Sequence, residues 1–196
     1  MCGRIEVKDK KAVDLAIYRA HKIRFESIQN QDLRPTQEVA CLHFSHGQLS
    51  QVNSHWGIKP NWATHPIINA QSETVSSKKT FSSAWALHRC VVPCTGWFEW
   101  TGERGHKTKN RFANSSDQVL YMGGILIPDE VRDFSLVTLT MEADSQCAAY
   151  HHRMPLIVDS DKLVDWLSLP QDNPAVFTDP SKLGLNRTGK FGGGFV

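Results

Sequence analysis

Long apolar runs are missing from this 196-residue chain: the best, Val119 to Ile127, is interrupted by Gly123 and Gly124 and falls far below the roughly 18 residues a membrane-spanning helix requires. A role within a membrane is therefore not expected. The amino end, Met-Cys-Gly-Arg-Ile-Glu-Val-Lys, lacks the basic head and apolar middle of a secretory signal, so a cytoplasmic location is expected. An excess of either charge is also missing. With 22 Lys+Arg against 20 Asp+Glu, the net charge of +2 does not mark a nucleic-acid binder by bulk electrostatics, and an anionic partner must be met by a local patch. Cysteine is scarce and irregular: Cys2, Cys41, Cys90, Cys94 and Cys147 are odd in number and unevenly spaced, which suits thiols in a reducing compartment better than a disulfide framework. Internal repeats and low-complexity linkers are absent as well.

What is present is the composition of an ordinary globule, 40% hydrophobic and 21% charged, in a chain long enough to bury a core without a disulfide or metal staple. One domain over residues 1–196 is expected, with only the Gly-rich end from Lys190 to Val196 loosely held. Val13, Ala16, Ile17 and Ala20 recur at helical spacing and predict an amphipathic surface helix over Asp9 to Ile23. Alternation from Val39 to Phe44, a turn at His46-Gly47 and a second alternating run to Trp56 predict a hairpin. Shorter helices are expected over Lys79 to His88 and Asp161 to Leu169, the latter capped by Asp159 or Ser160 and closed ahead of Pro170. Strand-like pieces cover Arg89 to Val92, Gly96 to Trp100, Val119 to Ile127 and Phe134 to Thr140. Strands outnumber helices, so the fold class is α+β: a curved, mostly antiparallel, barrel-like sheet with a few flanking helices.

Cys2 is the most informative single residue. Removal of Met1, expected before a small residue, gives Cys2 a free α-amine beside its thiol, and groups with intrinsic pKa values of about 7.7–8.0 and about 8.5 are both partly deprotonated near neutrality. An aldehyde meeting this pair forms a Schiff base with the nitrogen, and the sulfur closes on the same carbon to give a five-membered thiazolidine, favoured by proximity. The plainer alternative is a small residue at a frayed terminus.

Within Gly96-Trp97-Phe98-Glu99-Trp100, a strand puts Trp97 and Glu99 on one face and Phe98 and Trp100 on the other. Burial of Glu99 raises its pKa toward general acid-base work, whereas an edge-strand surface glutamate is the bland reading. His151 and His152 precede Arg153-Met154-Pro155; in an extended segment they point to opposite sides, so one of them at most faces a given pocket, and a hydrogen-bonded structural histidine is the competing reading. Asn69 follows the apolar pair Ile67-Ile68 as though delivered into a cleft, or else serves a turn. Cys90 and Cys94, near His88, make a weak zinc signal, and core thiols are the stronger reading for them and for Cys41 and Cys147. No metal or cofactor is expected.

Taken together, Met1-Cys2-Gly3-Arg4, Trp56-Gly57-Ile58-Lys59-Pro60-Asn61-Trp62, Ile68-Asn69-Ala70-Gln71-Ser72-Glu73-Thr74, Arg89-Cys90 with Val92-Pro93, Gly96-Trp97-Phe98-Glu99-Trp100 and His151-His152-Arg153-Met154-Pro155 resemble, in order, the motifs of the SOS-response-associated peptidase family. The resemblance runs from residue 1 to about residue 158. It implies a compact α+β domain that meets single-stranded DNA containing an abasic site and crosslinks to the ring-opened sugar aldehyde through the cysteine exposed by loss of Met1. On this resemblance Cys2 is the nucleophile and Glu99 assists proton transfer in crosslinking and in release of Met1. His151 helps open the deoxyribose ring, and Asn69 orients the reacting end. Arg4 is similar to a phosphate-contacting arginine, Trp62 to an aromatic DNA contact, and Thr140 is expected in the same pocket. Gln71 and Arg153 are assigned to the DNA-binding side, and the chain is expected to act as a monomer.

Two departures from the family pattern bear on affinity. Gln71 stands where an arginine is usual, and Asp32-Leu33-Arg34-Pro35 replaces Asn-x-Ala-Pro, so phosphate contact is expected to weaken unless Arg34 compensates. Arg89 and Arg153, with Arg4, Lys78 and Lys79, are candidates for a cationic cluster. Two other function classes fit parts of the pattern: a thiol peptidase acting on other proteins with Cys2, His151 and Asn69, and a non-covalent single-strand-binding module built on Trp62 and neighbouring cations.

Overall fold

The computed structural model describes residues 2–103, 106–170 and 185–191. In chain order the elements are β1 (Ile5–Val7), α1 (Lys10–His21), β2 (Asn30–Leu33), β3 (Glu38–Ser45), β4 (Gln48–Trp56), β5 (Asn69–Gln71), α2 (Ser82–Leu87), β6 (Arg89–Cys94), β7 (Gly96–Thr101), β8 (Thr108–Asn114), β9 (Leu120–Asp129), β10 (Asp133–Glu142), β11 (Arg153–Pro155), β12 (Ile157–Val158), α3 (Leu163–Ser168) and β13 (Leu185–Phe191). A 3₁₀ turn over Ser160–Lys162 leads into α3.

The predicted surface helix is α1. Asp9 caps it, its carboxylate accepting from the Ala12 amide at 3.0 Å, and Val13 and Ile17 are its buried stripe. It ends where Lys22 takes a left-handed φ of 59° and donates its amide to the Tyr18 carbonyl. The predicted hairpin pairs β3 with β4 from Glu38↔His55 to Ser45↔Gln48. Its two-residue turn has positive φ at both His46 and Gly47, as the twist of the flanking strands demands.

Five strands close on themselves: β10 pairs β4, β4 pairs β3, β3 pairs β6, β6 pairs β9 and β9 returns to β10. This closed barrel is antiparallel except at β10–β4, where Ser135 and Leu136 lie parallel to His55 and Trp56. The expected barrel-like, mostly antiparallel sheet is thus the observed one. Its wall is tightly packed at Gly124, where a Cβ would come within 2.8 Å of a Leu136 methyl and 3.1 Å of the Cys90 sulfur. A second sheet runs β13-β8-β7-β1-β2 and carries the amino-terminal strand in its interior. The sheets are tied at Thr95, between β6 and β7: its hydroxyl lies within bonding distance of the Glu6 carbonyl and carboxylate, which the Arg111 guanidinium also grips at 2.8 and 2.5 Å.

Several expectations need correction. The helix predicted over Lys79 to His88 contracts to α2 because residues 79–81 form turns. Asp159 does stand before the last helical segment, yet it closes the turn through its backbone carbonyl, which accepts from Lys162, and not as a side-chain cap. Arg89 is not a surface cation. It is 5% exposed, its guanidinium donates to the carbonyls of Trp85, Trp166 and Leu169, and it stacks between the indoles of Trp85 and Trp166. It therefore satisfies carbonyls at the ends of both α2 and α3. Of the end expected to be loose, Lys190 and Phe191 form the close of β13, paired with Asn110 and Lys109; residues 192–196 lie outside the described residues.

All five cysteines are thiols and all are buried, in line with the core reading of Cys41, Cys90, Cys94 and Cys147. Among the described residues no helix is long and apolar enough to cross a membrane.

Candidate active site

The amino-terminal segment is fixed beside β7 by strand pairing. Ile5 and Glu6 face Trp97 and Gly96, and the Phe98 amide donates to the Arg4 carbonyl at 3.1 Å, so the chain arrives at Cys2 alongside Glu99. Gly96 allows β8 to pack closely on the other side of β7, because a Cβ there would lie 2.5 Å from the Phe112 carbonyl. Cys2 is 1% exposed and its thiol points back at the Arg4 carbonyl, 3.8 Å away. Burial pushes that thiol well above its usual range, and the negative charge of Glu99 and then Cys94 push it further. The thiol is therefore protonated at neutral pH, contrary to the partly ionised state its free-solution pKa suggests.

Glu99 is 4% exposed, so the surface reading fails. Burial carries its carboxyl up to about 7, against the opposing pull of the amino-terminal positive charge. The alternation read from the sequence holds around it: Trp97 stacks on Phe112 in the core, while Phe98 and Trp100 carry cations, Lys109 lying 3.9 Å from the Phe98 ring centre and Arg4 5.6 Å from that of Trp100.

Asn69 opens β5, which lies parallel to β10 with Asn69 opposite Thr138. Its side-chain amide donates to the Cys2 carbonyl at 2.9 Å. Thr138 sets the orientation of that amide, its hydroxyl lying 2.5 Å from the Asn69 carbonyl oxygen. Sequence reasoning missed Thr138, because nothing local marks one threonine of a barrel strand as the partner of a residue 69 positions away.

His151 comes from the turn before β11. Its Nδ1 lies 2.9 Å from the Arg153 amide nitrogen and 3.0 Å from the Arg153 carbonyl. A neutral ring accepts from the amide and carries its proton on Nε2; a protonated ring donates to the carbonyl. Burial lowers the imidazole pKa, with the amino-terminal charge next in weight. The expectation that His151 and His152 diverge is overturned: the segment turns, and the rings stack with centroids 4.4 Å apart. Asn69 bonds the Cys2 carbonyl, the Glu99 charge reaches the Cys2 thiol, and Cys2, Glu99 and His151 all register the amino-terminal charge, which relates the four residues to one another.

The residues assigned to DNA lie around this core in different states. Trp62 is 70% exposed on the loop between β4 and β5, and Gln71 is exposed at the end of β5. Thr140 is buried, its hydroxyl within 3.4 Å of the Ala70 carbonyl. Arg153 spends its guanidinium on Glu73, at 2.8 and 2.7 Å, and on the Thr140 carbonyl at 2.6 Å. Arg4 contacts Asp32 at 3.4 Å, and Asp32 also receives Lys109 and Arg34, each at 2.7 Å. Arg34, expected to compensate for the cation missing at Gln71, is thus held by Asp32. Gly3, Arg4, Trp100 and Lys107 line a cavity of about 180 Å³ beside the site.

The family model described as "SOS response associated peptidase (SRAP)" matches residues 1–182. The chain belongs to the SRAP family. Among curated SRAP relatives, it is 28% identical over 178 residues to the abasic site processing protein YedK of Escherichia coli, spanning 85% of this chain and 79% of that protein. It is 26% identical over 156 residues to YoqW of Bacillus subtilis, spanning 73% and 68%. The abasic site processing protein HMCES of Gallus gallus is 24% identical over 153 residues, which cover 61% of this chain and 46% of HMCES. The SRAP fold is also that of a crystal structure from Bordetella bronchiseptica, with a TM-score of 0.76, 20% identity and full coverage of both chains. A phage-related protein of the same organism gives a TM-score of 0.77 at 18% identity, over 97% of this chain and 93% of that one.

Proposed function

We propose that this protein processes abasic sites in single-stranded DNA by capturing the open-chain sugar aldehyde on Cys2 after Met1 has been removed. The observation that carries the reading is the enclosure of Cys2: Asn69 holds its carbonyl, and the Glu99 carboxyl, at about 7, acts on its thiol. The relatives named as abasic site processing proteins support the same substrate.

The chemistry follows from the groups present. An abasic sugar is mostly a closed hemiacetal: as its C1′–O4′ bond breaks, the ring oxygen takes a proton and the C1′ hydroxyl gives one up to water, leaving the aldehyde. The protonated His151 ring gives the ring oxygen its proton from Nε2 and is left neutral, its Nδ1 proton still donated to the Arg153 carbonyl. The Cys2 amine attacks C1′ to form a carbinolamine, which loses one water to give the imine; Glu99, near 7, gives the proton that departs with that water. Because the thiol is protonated until late, it adds after the imine has formed: the S–C1′ bond closes the thiazolidine and the thiol proton passes to nitrogen. In this reading the same Glu99 takes a proton from the water that hydrolyses the Met1–Cys2 peptide. A buried, protonated thiol disfavours a papain-like attack on other proteins.

Intact-mass spectrometry tests this directly. The purified protein should lack Met1, and incubation with an abasic single strand should add the mass of the oligonucleotide less one water. The Cys2→Ala variant should give no stable adduct; an equal yield from it overturns the reading, and binding of undamaged strands with equal strength and no adduct points to a non-covalent module.

A further inference from the structure

The two strands that present Asn69 and His151 share one neighbour. On β10, Thr138 holds the Asn69 amide, and two residues on, Thr140 lies opposite both Gln71 of β5 and Pro155 of β11. Between these arms sits Glu73, two residues past the end of β5. Its carboxylate takes both guanidinium nitrogens of Arg153 in a fork, and Oε1 also accepts from the Glu142 amide at 3.3 Å. Arg153 is the residue whose own amide and carbonyl clasp Nδ1 of His151.

We propose that Glu73 is a positioning residue for His151: by fixing the Arg153 guanidinium it fixes the peptide that orients the imidazole, and it balances the cations gathered there. This rests on the reading of His151 as the proton donor to the sugar. Burial, the positive charge of the amino terminus, the stacked His152 ring and the Arg153 guanidinium on β11 all oppose protonation of the imidazole, while the Arg153 backbone carbonyl favours it. Glu73 is the carboxylate bonded to that cluster, and Arg153 in turn holds the Glu73 carboxyl below the usual carboxylate range. An ordinary exposed ion pair adds little to stability, about 0–1 kcal/mol. This pair is bidentate and joins a half-exposed carboxylate to a guanidinium whose side chain is only 13% exposed, so its consequence is geometric. The contact also connects loops 80 residues apart, linking the segment that carries Asn69 to the one that carries His151.

The test compares wild type, Glu73→Gln and Glu73→Asp, each with Met1 removed, in single-turnover capture of an abasic single strand between about pH 5 and pH 8.5. Thermal unfolding and NMR titration of the His151 ring, assigned with His151→Gln, accompany the rates. We expect Glu73→Gln to slow capture at neutral pH by about tenfold or more, as misplacement of a reacting group does. Its rate profile and the His151 titration should both move to lower pH, with little change in melting temperature, and Glu73→Asp should recover part of the rate by keeping the charge. An unshifted profile and titration overturn the proposal, whether the rate is unchanged or falls only in step with lost stability. If wild type forms no adduct, the capture reading fails on its own account, and the His151 titration still decides the role of Glu73.

Discussion

The Asn69 side chain and the Cys2 carbonyl meet at 2.9 Å across 67 positions of sequence, and Thr138 determines which end of the amide does so. Thr138→Val removes the hydroxyl and leaves the Asn69 oxygen without that donor, so the amide loses its fixed orientation. A neutral hydrogen bond of about 0.5–1.5 kcal/mol corresponds to a slowing of capture of about 2- to 10-fold. Asn69→Ala should slow it at least as much. Single-turnover adduct yields on denaturing gels measure both, and wild-type rates from Thr138→Val would show that the orientation is set elsewhere.

The raised pKa of Glu99 has a signed effect on stability. Folded, the carboxyl titrates near 7; unfolded, it titrates near 4.5. The folded protein thus binds more protons between these values, and stability falls as pH rises from about 4.5 to about 7. Glu99→Gln should flatten that decline and leave the variant more stable than wild type at about pH 8, by on the order of 1–3 kcal/mol. Denaturant unfolding of both proteins at pH 5 and at pH 8 checks it. The same variant should lose capture activity, so stability and function move in opposite directions.

Asp32 collects Arg4, Arg34 and Lys109 around one carboxylate, which these partners hold below its usual pKa although burial works the other way. A phosphate approaching Arg4 competes with this internal anion. Asp32→Asn should tighten binding to undamaged single strands and steepen the fall of log affinity against log salt by about 0.7 for each cation released to a phosphate. Fluorescence anisotropy across a salt series reads the slope. No change of slope would mean that these three cations do not meet the strand.

Arg89 turns its guanidinium into the core, so its loss is expected to cost stability. Arg89→Met keeps much of the stacking on Trp85 and Trp166 but withdraws donors from three carbonyls, at about 1.5–3 kcal/mol for each bond to a charged group. A loss on the order of 3 kcal/mol in chemical denaturation is expected, with the salt dependence of DNA binding unchanged.

What was legible in the sequence and what was not divides by length and by distance along the chain. The hairpin announced itself because His46-Gly47 is a local turn signal between two long alternating runs, and α1 because Asp9 and its apolar spacing are local too. Three-residue strands show no period, so β1, β5 and β11 went unnoticed, although they carry or adjoin Cys2, Asn69 and His151. These residues were identified by motif order, and the barrel explains their union. Arg89 and Arg153 read as surface cations because nothing nearby in sequence shows Trp166 or Glu73 waiting for them. The burial of Cys2 is hidden from the sequence for a related reason: an end that looks frayed in one dimension is covered once β1 pairs with β2 and β7.

That interior placement of β1 has a mechanical side. A load attached at residue 2 has no slack tether to swing on; three residues later it meets backbone bonded along both edges, to β2 and to β7. Tension on a captured strand would be transmitted straight into the sheet, so a motor pulling on such cargo must unzip the domain before it can shake the cargo loose.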